Sequence, residues 1–319
     1  MPYNSLISRT DATALIPEEA SRAILKNVAE QSAVMRLAKR LPNMSRAQYR
    51  MPVASALATA YFVSGETGLK QTTEYSWENK YIYAEEIAAI VPISEAVLDD
   101  ADFDIWGEVR ESVEEAFGIA IDAAVLYGTN IPATWTTALG YAGIIAVATA
   151  ASQVVSLASY DDIYGAMLGQ TGAGAAGVFG LLEADGFSAT GTIAPLATKG
   201  LLRNCRDSNG QPIFPVNSDI TQLLGTPIIY PRNGAISGTY HAISGQWDQL
   251  VFSTRQDMTW KILDQAVIQD AGGNIVYNLA QQDMVALRAV MRLGFALPNP
   301  INRIQETAAS RCAFAALTA

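Results

Sequence analysis

The strictest hydrophobic pattern in the chain is an alternation between residues 74 and 83. A period of two predicts a β-strand with one polar and one aromatic face. The polar positions are Glu74, Ser76, Glu78 and Lys80, and the aromatic ones are Tyr75, Trp77, Tyr81 and Tyr83. This strand lies within a distinct region, residues 56–83, where turn-like pairs at 64–65 and 67–68 precede it, and residues 49–53 predict a short strand before that region. We therefore expect a long hairpin. An isolated hairpin is marginally stable in water, so its aromatic face needs a covering surface on this chain or a neighbour.

A second clear pattern predicts a long amphipathic helix over residues 103–127. Its expected apolar stripe is Trp106, Val109, Val113, Ala116, Ala120 and Ala124. Its expected polar side is Glu108, Glu111, Ser112, Glu115 and Asp122. Asp102 or Asp104 can cap the start, and Gly128 suits the end. At 1.5 Å per residue the helix is roughly 37 Å long.

Weaker patterns predict the remaining elements and together indicate an α+β chain. Pro17, Glu18 and Glu19 open an expected helix, and residues 33–41 fit either its continuation or a strand. A continuous apolar run at 87–93 predicts a buried strand, and 159–169 look helical. Further strands are expected at 178–190, 226–230, 240–252, 260–267 and 284–295.

Charge is distributed unevenly along the 319 residues, of which 50% are hydrophobic and 16% charged. The net charge is −10, but residues 1–50 carry a net of +4 and the other 269 residues −14. An acidic surface repels phosphates, which excludes nucleic-acid binding over the whole molecule. The basic end is either a solvated arm or a surface that meets an acidic partner.

Compartment signals favour folding in the cytosol. The N-terminus lacks the charged and apolar regions of a signal peptide, and no apolar run reaches membrane-spanning length. Cys205 and Cys312 fit two reduced thiols better than one disulfide.

Three candidate chemical motifs are weak. Gly172, Gly174 and Gly177 match the spacing of a dinucleotide loop, but an expected helix precedes them and an expected strand follows. His241, the only histidine, has no metal-ligand cluster nearby, and its proximity to Ser244 does not make a triad. The aspartates at 99, 100, 102 and 104 lack the glycine and bidentate glutamate of a calcium loop. We expect no catalytic, metal or cofactor site.

The order of elements resembles the tailed-phage capsid family with the Hong Kong 97-type fold. The similarity covers nearly the whole chain from residue 16 and rests on linked segments. They are IPEEASRAILKNVAEQSAVMRLAKRLPNM, AYFVSGETGLKQTTEYSWENKYIYAEEIAAIVPISEAVLDDADFDIWGEVRESVEEAFGIAIDAAVLYGTN, LLRNCRDSNGQPIF, LLGTPIIYPRN, DQLVFSTRQDMTWKILDQAVI and MVALRAVMRLGFALPNP.

The resemblance implies a division of the chain into an N-arm, an E-loop hairpin, a peripheral (P) domain with a long spine helix, and an axial (A) domain. The implied bounds are 1–20 for the N-arm, 21–53 for the first part of the P-domain, 54–84 for the E-loop, 85–150 for the P-domain with the spine helix, 151–245 for the A-domain, 246–300 for the returning P-domain strands, and 301–319 for a C-terminal segment of the A-domain.

The resemblance also implies a structural subunit and not an enzyme. Hexamers and pentamers of the chain would form an icosahedral head around double-stranded DNA, assembled in the host bacterial cytoplasm, with a portal protein and possible scaffold and decoration proteins as partners. No membrane and no cofactor is implied. The expected inter-subunit contacts of the E-loop are Glu66, Lys70, Tyr75, Trp77 and Tyr81. The expected basic residues facing scaffold or DNA are Arg36, Lys39, Arg40 and Arg46.

Two departures from the family pattern lead to further expectations. The chain passes from Met1 almost directly into the arm, so a separate scaffold protein, or none, is expected. Some members cross-link through an E-loop lysine, an asparagine and a glutamate. Here Lys70 is available, but Gln281 stands near the expected asparagine position and Arg288 near the expected glutamate position. We expect a shell held by non-covalent contacts.

Two other functions compete with this interpretation. An encapsulin-like nanocompartment protein would share the fold and hold protein cargo. A cytosolic nucleotide-dependent enzyme would use the glycine loop at residues 172–177.

Overall fold

The computed structural model describes residues 32–63, 68–100, 104–140, 142–170, 176–207, 209–214, 219–236 and 238–319. The helices are α1 Ala33–Leu37, α2 Glu95–Asp100, α3 Ile105–Tyr127, α4 Ala133–Leu139, α5 Ile144–Ala150, α6 Ile163–Leu168, α7 Val178–Ala184 and α8 Leu196–Asn204. The strands are β1 Lys39–Arg40, β2 Gln48–Ala56, β3 Ser76–Tyr83, β4 Glu85–Ser94, β5 Val154–Ser156, β6 Gly191–Ile193, β7 Gln222–Leu223, β8 Thr226–Ile229, β9 Tyr240–Gly245, β10 Val251–Leu263, β11 Val267–Gln269, β12 Ile275–Asn278, β13 Met284–Ala296 and β14 Phe314–Thr318.

One half of the molecule is a four-stranded sheet with the order β1-β10-β13-β4 and the long helix α3 on one face. Phe117 and Val113 of α3 pack against Ala289 of β13, with Ile87 of β4 beside them. Along β4 the other face of the sheet is uncovered, which is why its residues from Glu85 to Ile90 alternate between half-buried and exposed positions. The expected strand at 87–93 is confirmed, but its expected full burial is wrong.

Helix α3 ends at Tyr127 as predicted and begins at Ile105, two residues after the predicted start. The carboxylate of Asp104 accepts a hydrogen bond from the Gly107 amide (3.0 Å), and Gly128 adopts a left-handed conformation with φ of 72°. The buried stripe is rotated from the predicted one, because Phe117, Ile121 and Val125 take it while Ala116 and Ala120 are exposed. Large side chains exclude more apolar area from water than alanines do, so they decide which face packs.

The other half is a six-stranded sheet with the order β5-β14-β9-β6-β8-β7. Strand β14 lies inside it and alternates between two cores. Phe314 and Ala316 face the core that contains Trp247, while Ala315 and Leu317 face a second core. The indole of Trp247 donates to the Gly191 carbonyl (2.9 Å) and packs edge-on against Phe314, with ring centroids 5.1 Å apart.

Several predicted elements are corrected. Residues 178–184 form helix α7 and not the start of a strand, because Val178, Phe179 and Leu182 recur at helical spacing against the second core. The ambiguous segment 33–41 divides into α1 and β1. Strand β10 is continuous to Leu263, and residues 264–266 separate it from β11. The helix predicted from Pro17 lies outside the described residues, as does the whole N-arm range 1–20.

A buried carboxylate joins the two halves. Asp122, expected on the solvent side of α3, is fully buried and accepts four hydrogen bonds. Two come from the Ala33 and Val34 amides at the start of α1 (2.9 and 3.1 Å). The others come from the Ser32 hydroxyl (2.5 Å) and the Asn233 side chain (3.3 Å). Burial raises the pKa of Asp122, and these four donors oppose the increase.

Replacing Asp122 tests this junction. Asp122→Asn should lower the free energy of unfolding by about 1–3 kcal/mol, because every partner of the carboxylate is a donor and the new amide group would face donors. Urea unfolding of unassembled subunits, followed by tryptophan fluorescence, measures the change.

The matched control is Glu115→Gln, which neutralises a half-buried carboxylate on the same helix. We expect it to change stability by less than about 0.5 kcal/mol. Equal effects of the two substitutions would contradict the role assigned to Asp122.

Candidate functional site

The most unusual surface is the hairpin of β2 and β3, which confirms the predicted two-stranded element. The strands pair antiparallel, with Gln48 opposite Tyr83, Arg50 opposite Tyr81 and Ala54 opposite Trp77. Beyond the paired region, the Tyr61 hydroxyl donates to the Gln71 carbonyl (2.9 Å), and the Thr59 amide donates to the Thr73 hydroxyl (2.8 Å). The two arms therefore stay together toward the tip.

One face of the hairpin is fastened to the body of the protein. Ile82 is fully buried in a small core with Met44, Val251 and Ala296. This core lies at one end of the four-stranded sheet, where Val251 pairs with Ala296. The base of the hairpin therefore has a fixed direction relative to that sheet.

The opposite face exposes its aromatic side chains. Trp77 is 69% exposed, Tyr75 44% and Tyr81 38%. Tyr75 and Trp77 pack edge-on with ring centroids 4.7 Å apart, so part of the exposed surface is already ordered. Leaving such a group of aromatic side chains in water is unfavourable, so this face is a candidate interface.

A loop near the C-terminus holds the first arm of the hairpin further from its base. The Ile301 amide donates to the Ala54 carbonyl (3.3 Å), and the Arg303 guanidinium donates to the Ala58 carbonyl (2.6 Å). The loop itself is organised by the buried Arg311, which donates to the Asn299 side chain and to the main-chain carbonyls of 299, 305 and 306. No sequence pattern pointed to this buried arginine.

The structure describes four of the five predicted contact residues. Tyr75, Trp77 and Tyr81 lie together along β3 and the residue before it, and Lys70 is exposed on the same arm of the tip. Glu66 lies outside the described residues. Whether any of them touches a neighbour stays a prediction.

The four predicted basic residues are all exposed, but two of them border different grooves. Arg36 borders a groove with Lys199 and Arg232, whereas Arg46 borders one with Arg50 and Tyr81. Arg40 donates to Asn43 (3.2 Å) and to the Thr254 hydroxyl (3.3 Å), next to Lys39 on β1. Sequence reasoning missed Arg50, which lies on β2 opposite Tyr81, four residues after Arg46.

In the described part of the chain, none of the candidate chemical motifs is completed by the other groups that its chemistry requires. The carbonyl of His241 accepts from the Thr198 hydroxyl (2.8 Å) within the six-stranded sheet. The glycine loop connects α6 to α7, so a helix and not a strand precedes it, and Gly172 and Gly174 lie outside the described residues. Among the described residues, no three metal-type side chains converge.

Both cysteines are free and buried. Burial raises the pKa of Cys312 to about 12 and also raises that of Cys205, so neither thiol is activated as a nucleophile. The helices within the described ranges are all too short or too polar to span a bilayer.

Comparison with known proteins agrees with this architecture. The sequence profile of the phage capsid family matches residues 12–304. The major capsid protein of Staphylococcus phage 80alpha is 27% identical over 282 residues, covering 86% of this chain and 79% of that protein. A solved structure from Microbacterium phage Oxtober96 superposes with a TM-score of 0.83 at 30% identity, covering 98% and 99% of the two chains. One from Mycobacterium phage Bobi gives 0.81 at 28% identity, covering 98% and 99%.

The mixed helix-and-sheet fold is thus that of phage shell proteins. The chain belongs to the phage capsid family.

Replacing Trp77 tests the exposed face. Trp77→Ala should impair assembly much more than folding, because burying this side chain against a neighbour contributes roughly 1.5–3 kcal/mol at each equivalent contact. Sedimentation velocity gives the assembled fraction, and thermal unfolding of unassembled subunits gives the effect on folding.

Leu201→Ala is the control, since Leu201 is a 38% exposed apolar side chain on α8, away from the hairpin. It should assemble like the unmodified chain. Normal assembly of Trp77→Ala would show that the aromatic contact is dispensable.

Proposed function

We propose that this protein is the major capsid protein of a tailed bacteriophage, a structural subunit without catalytic activity. Hexamers and pentamers of the chain form an icosahedral head that encloses double-stranded DNA. The family match and the structural similarity to phage proteins support this role. The observation that carries it is the hairpin, which is fastened on one face and leaves Trp77, Tyr75 and Tyr81 exposed on the other.

The proposed domains correspond to parts of the fold. The hairpin acts as the E-loop, α3 and the four-stranded sheet as the P-domain, and the six-stranded sheet as the A-domain. Strand β14 belongs to the six-stranded sheet, which supports assigning residues 301–319 to the A-domain. Residues 1–20 serve as the N-arm.

The proposed partners are further copies of the chain, a portal protein and packaged DNA bound without sequence specificity. Separate scaffold and decoration proteins are possible additions. Assembly takes place in the host cytoplasm, and the final location is the virion capsid.

Electron microscopy and analytical ultracentrifugation of the purified chain test the proposal. We expect closed shells or capsomers, with DNA inside shells taken from infected cells. Protein cargo in place of DNA would favour the encapsulin-like alternative. A monomer under all scaffold and salt conditions would contradict a shell protein, and a bound nucleotide would favour the enzyme alternative.

The basic residues provide a second test. Neutralising Arg36, Lys39, Arg40 and Arg46 to glutamine should reduce assembly or packaging, since each surface cation near an anionic partner strengthens association at moderate salt. Particle yield and DNA content per particle are the measurements.

A control neutralises Arg255, Lys261 and Arg288, which are exposed on the four-stranded sheet beyond the hairpin base. If the four-residue variant keeps the yield and DNA content of the unmodified chain, these residues do not face an acidic partner.

The third test concerns covalent cross-links. An isopeptide bond needs a base that takes a proton from the lysine, and a guanidinium cannot act as one. Arg288 is exposed on β13, and the Gln281 carbonyl oxygen already accepts from Asn278 (2.8 Å). Mature particles boiled in denaturing detergent should therefore run as one band near the chain mass of 34.1 kDa. A ladder of oligomers that disappears in Lys70→Ala would contradict this expectation.

A further inference from the structure

Formal charge is concentrated in two segments of the sequence, and their charges have opposite signs. Residues 36–50 hold five basic residues and no acid, whereas residues 95–115 hold nine acidic residues and one arginine. The basic patch consists of Arg36, Lys39, Arg40, Arg46 and Arg50. The acidic patch consists of the eight of these acids that the structure describes, Glu95, Asp99, Asp100, Asp104, Glu108, Glu111, Glu114 and Glu115. Residues 95–115 alone have a net charge of −8, against −10 for the whole chain.

The fold places these patches toward opposite ends of the four-stranded sheet. Lys39 and Arg40 of β1 pair with Val251 and Phe252, at the end of the sheet where the hairpin is fastened. Strand β4 then runs away from the hairpin, and its last residue, Ser94, pairs with Met284 and leads directly into α2. Ten residues at about 3.3 Å each separate the hairpin base from α2 by roughly 33 Å.

This separation prevents the two patches from neutralising each other within one subunit. Exposed charges interact weakly beyond a screening length of about 8 Å at physiological salt. In the described part of the chain, Arg46 and Arg50 have no ion-pair partner, and neither do Asp100 and Glu114. The single base inside the acidic patch, Arg110, lies over the Trp260 ring at 5.9 Å and so points to the sheet.

The basic patch is continuous with the aromatic surface of the hairpin. Gln48 and Arg50 occupy alternate positions of β2, Arg46 lies in the bend just before this strand, and Arg50 lies directly opposite Tyr81 of β3. Arg46, Arg50 and Tyr81 line one shallow groove. A partner that covers Trp77 and Tyr81 therefore also meets the two guanidinium groups.

We propose that Arg46 and Arg50 dock on the acidic patch of α2 and the first half of α3 in a neighbouring copy of this chain. The proposal rests on the shell-forming function and names the surface that the hairpin base meets. Because the two patches lie at different ends of the subunit, each contact joins unlike surfaces. Head-to-tail contacts of this kind close into rings when the rotation between copies permits.

Charge reversal on both sides tests the pairing. Arg46→Glu/Arg50→Glu should lower particle yield at least about tenfold, and so should Asp100→Lys/Glu114→Lys, since like charges then meet across the interface. The four-site combination should recover the yield to within a few-fold. All four side chains are exposed, and thermal unfolding of unassembled subunits checks that each variant folds.

A control combination separates pairing from net charge. Arg46→Glu/Arg50→Glu joined to Glu183→Lys/Asp161→Lys has the same net charge, but its new lysines lie on the exposed surface of the half that contains the six-stranded sheet. This control should stay defective.

Three outcomes overturn the inference. They are normal assembly of either reversed pair, equal recovery by the control combination, and failure of the matched combination to recover. In the last case the acidic partner of Arg46 and Arg50 is scaffold or DNA. Failure of the shell function itself is distinguishable, because then the unmodified chain forms no particles.

Discussion

The fold depends on one buried carboxylate. Asp122 lies on α3, the helix of the four-stranded half, and accepts hydrogen bonds from the first turn of α1 and from Asn233, in the connection between β8 and β9 of the six-stranded half. An ionised group buried without partners costs far more than one hydrogen bond can return, so Asp122 is tolerated only when all its donors are present. The start of α1, the helix α3 and the Asn233 turn must therefore form together.

The hairpin is held firmly on one face and lacks a covering surface on the other. Its inner face is fixed by Ile82 and by the Ile301 and Arg303 contacts, while its outer face leaves Trp77 in water. A mobile arm would lose conformational entropy when it docks, and a held arm has lost most of it already. Holding the first arm of the hairpin through the buried Arg311 loop would thus lower the cost of the docking proposed for this surface.

Local patterns were enough to predict the hairpin, α3 with its Asp104 cap, and the late strands, because these signals lie in short periods and turn residues. The family resemblance extended that to the fold. The errors arose where tertiary packing decides. The apolar run at 178–184 fits a strand or a helix until its second core is known, and Asp122 resembles any solvent-facing acid of an amphipathic helix. Arg311 lies in an irregular loop, where no hydrophobic periodicity in the sequence predicts burial.

The magnitudes indicate how the apolar and charged parts of the hairpin divide their roles. Exposed ion pairs contribute about 0–1 kcal/mol each and are weakened by salt, whereas covering one large aromatic side chain contributes roughly 1.5–3 kcal/mol. Trp77 and its neighbours can therefore supply most of the attraction, but an apolar patch accepts many partners and orientations. Repulsion between like charges excludes wrong orientations even where each ion pair contributes little free energy. With the net charge concentrated toward one end of a sheet and the cations at the other, a wrongly oriented neighbour brings like charges together. A shell built from many copies of one weak contact needs that selectivity, because a single misoriented subunit stops closure.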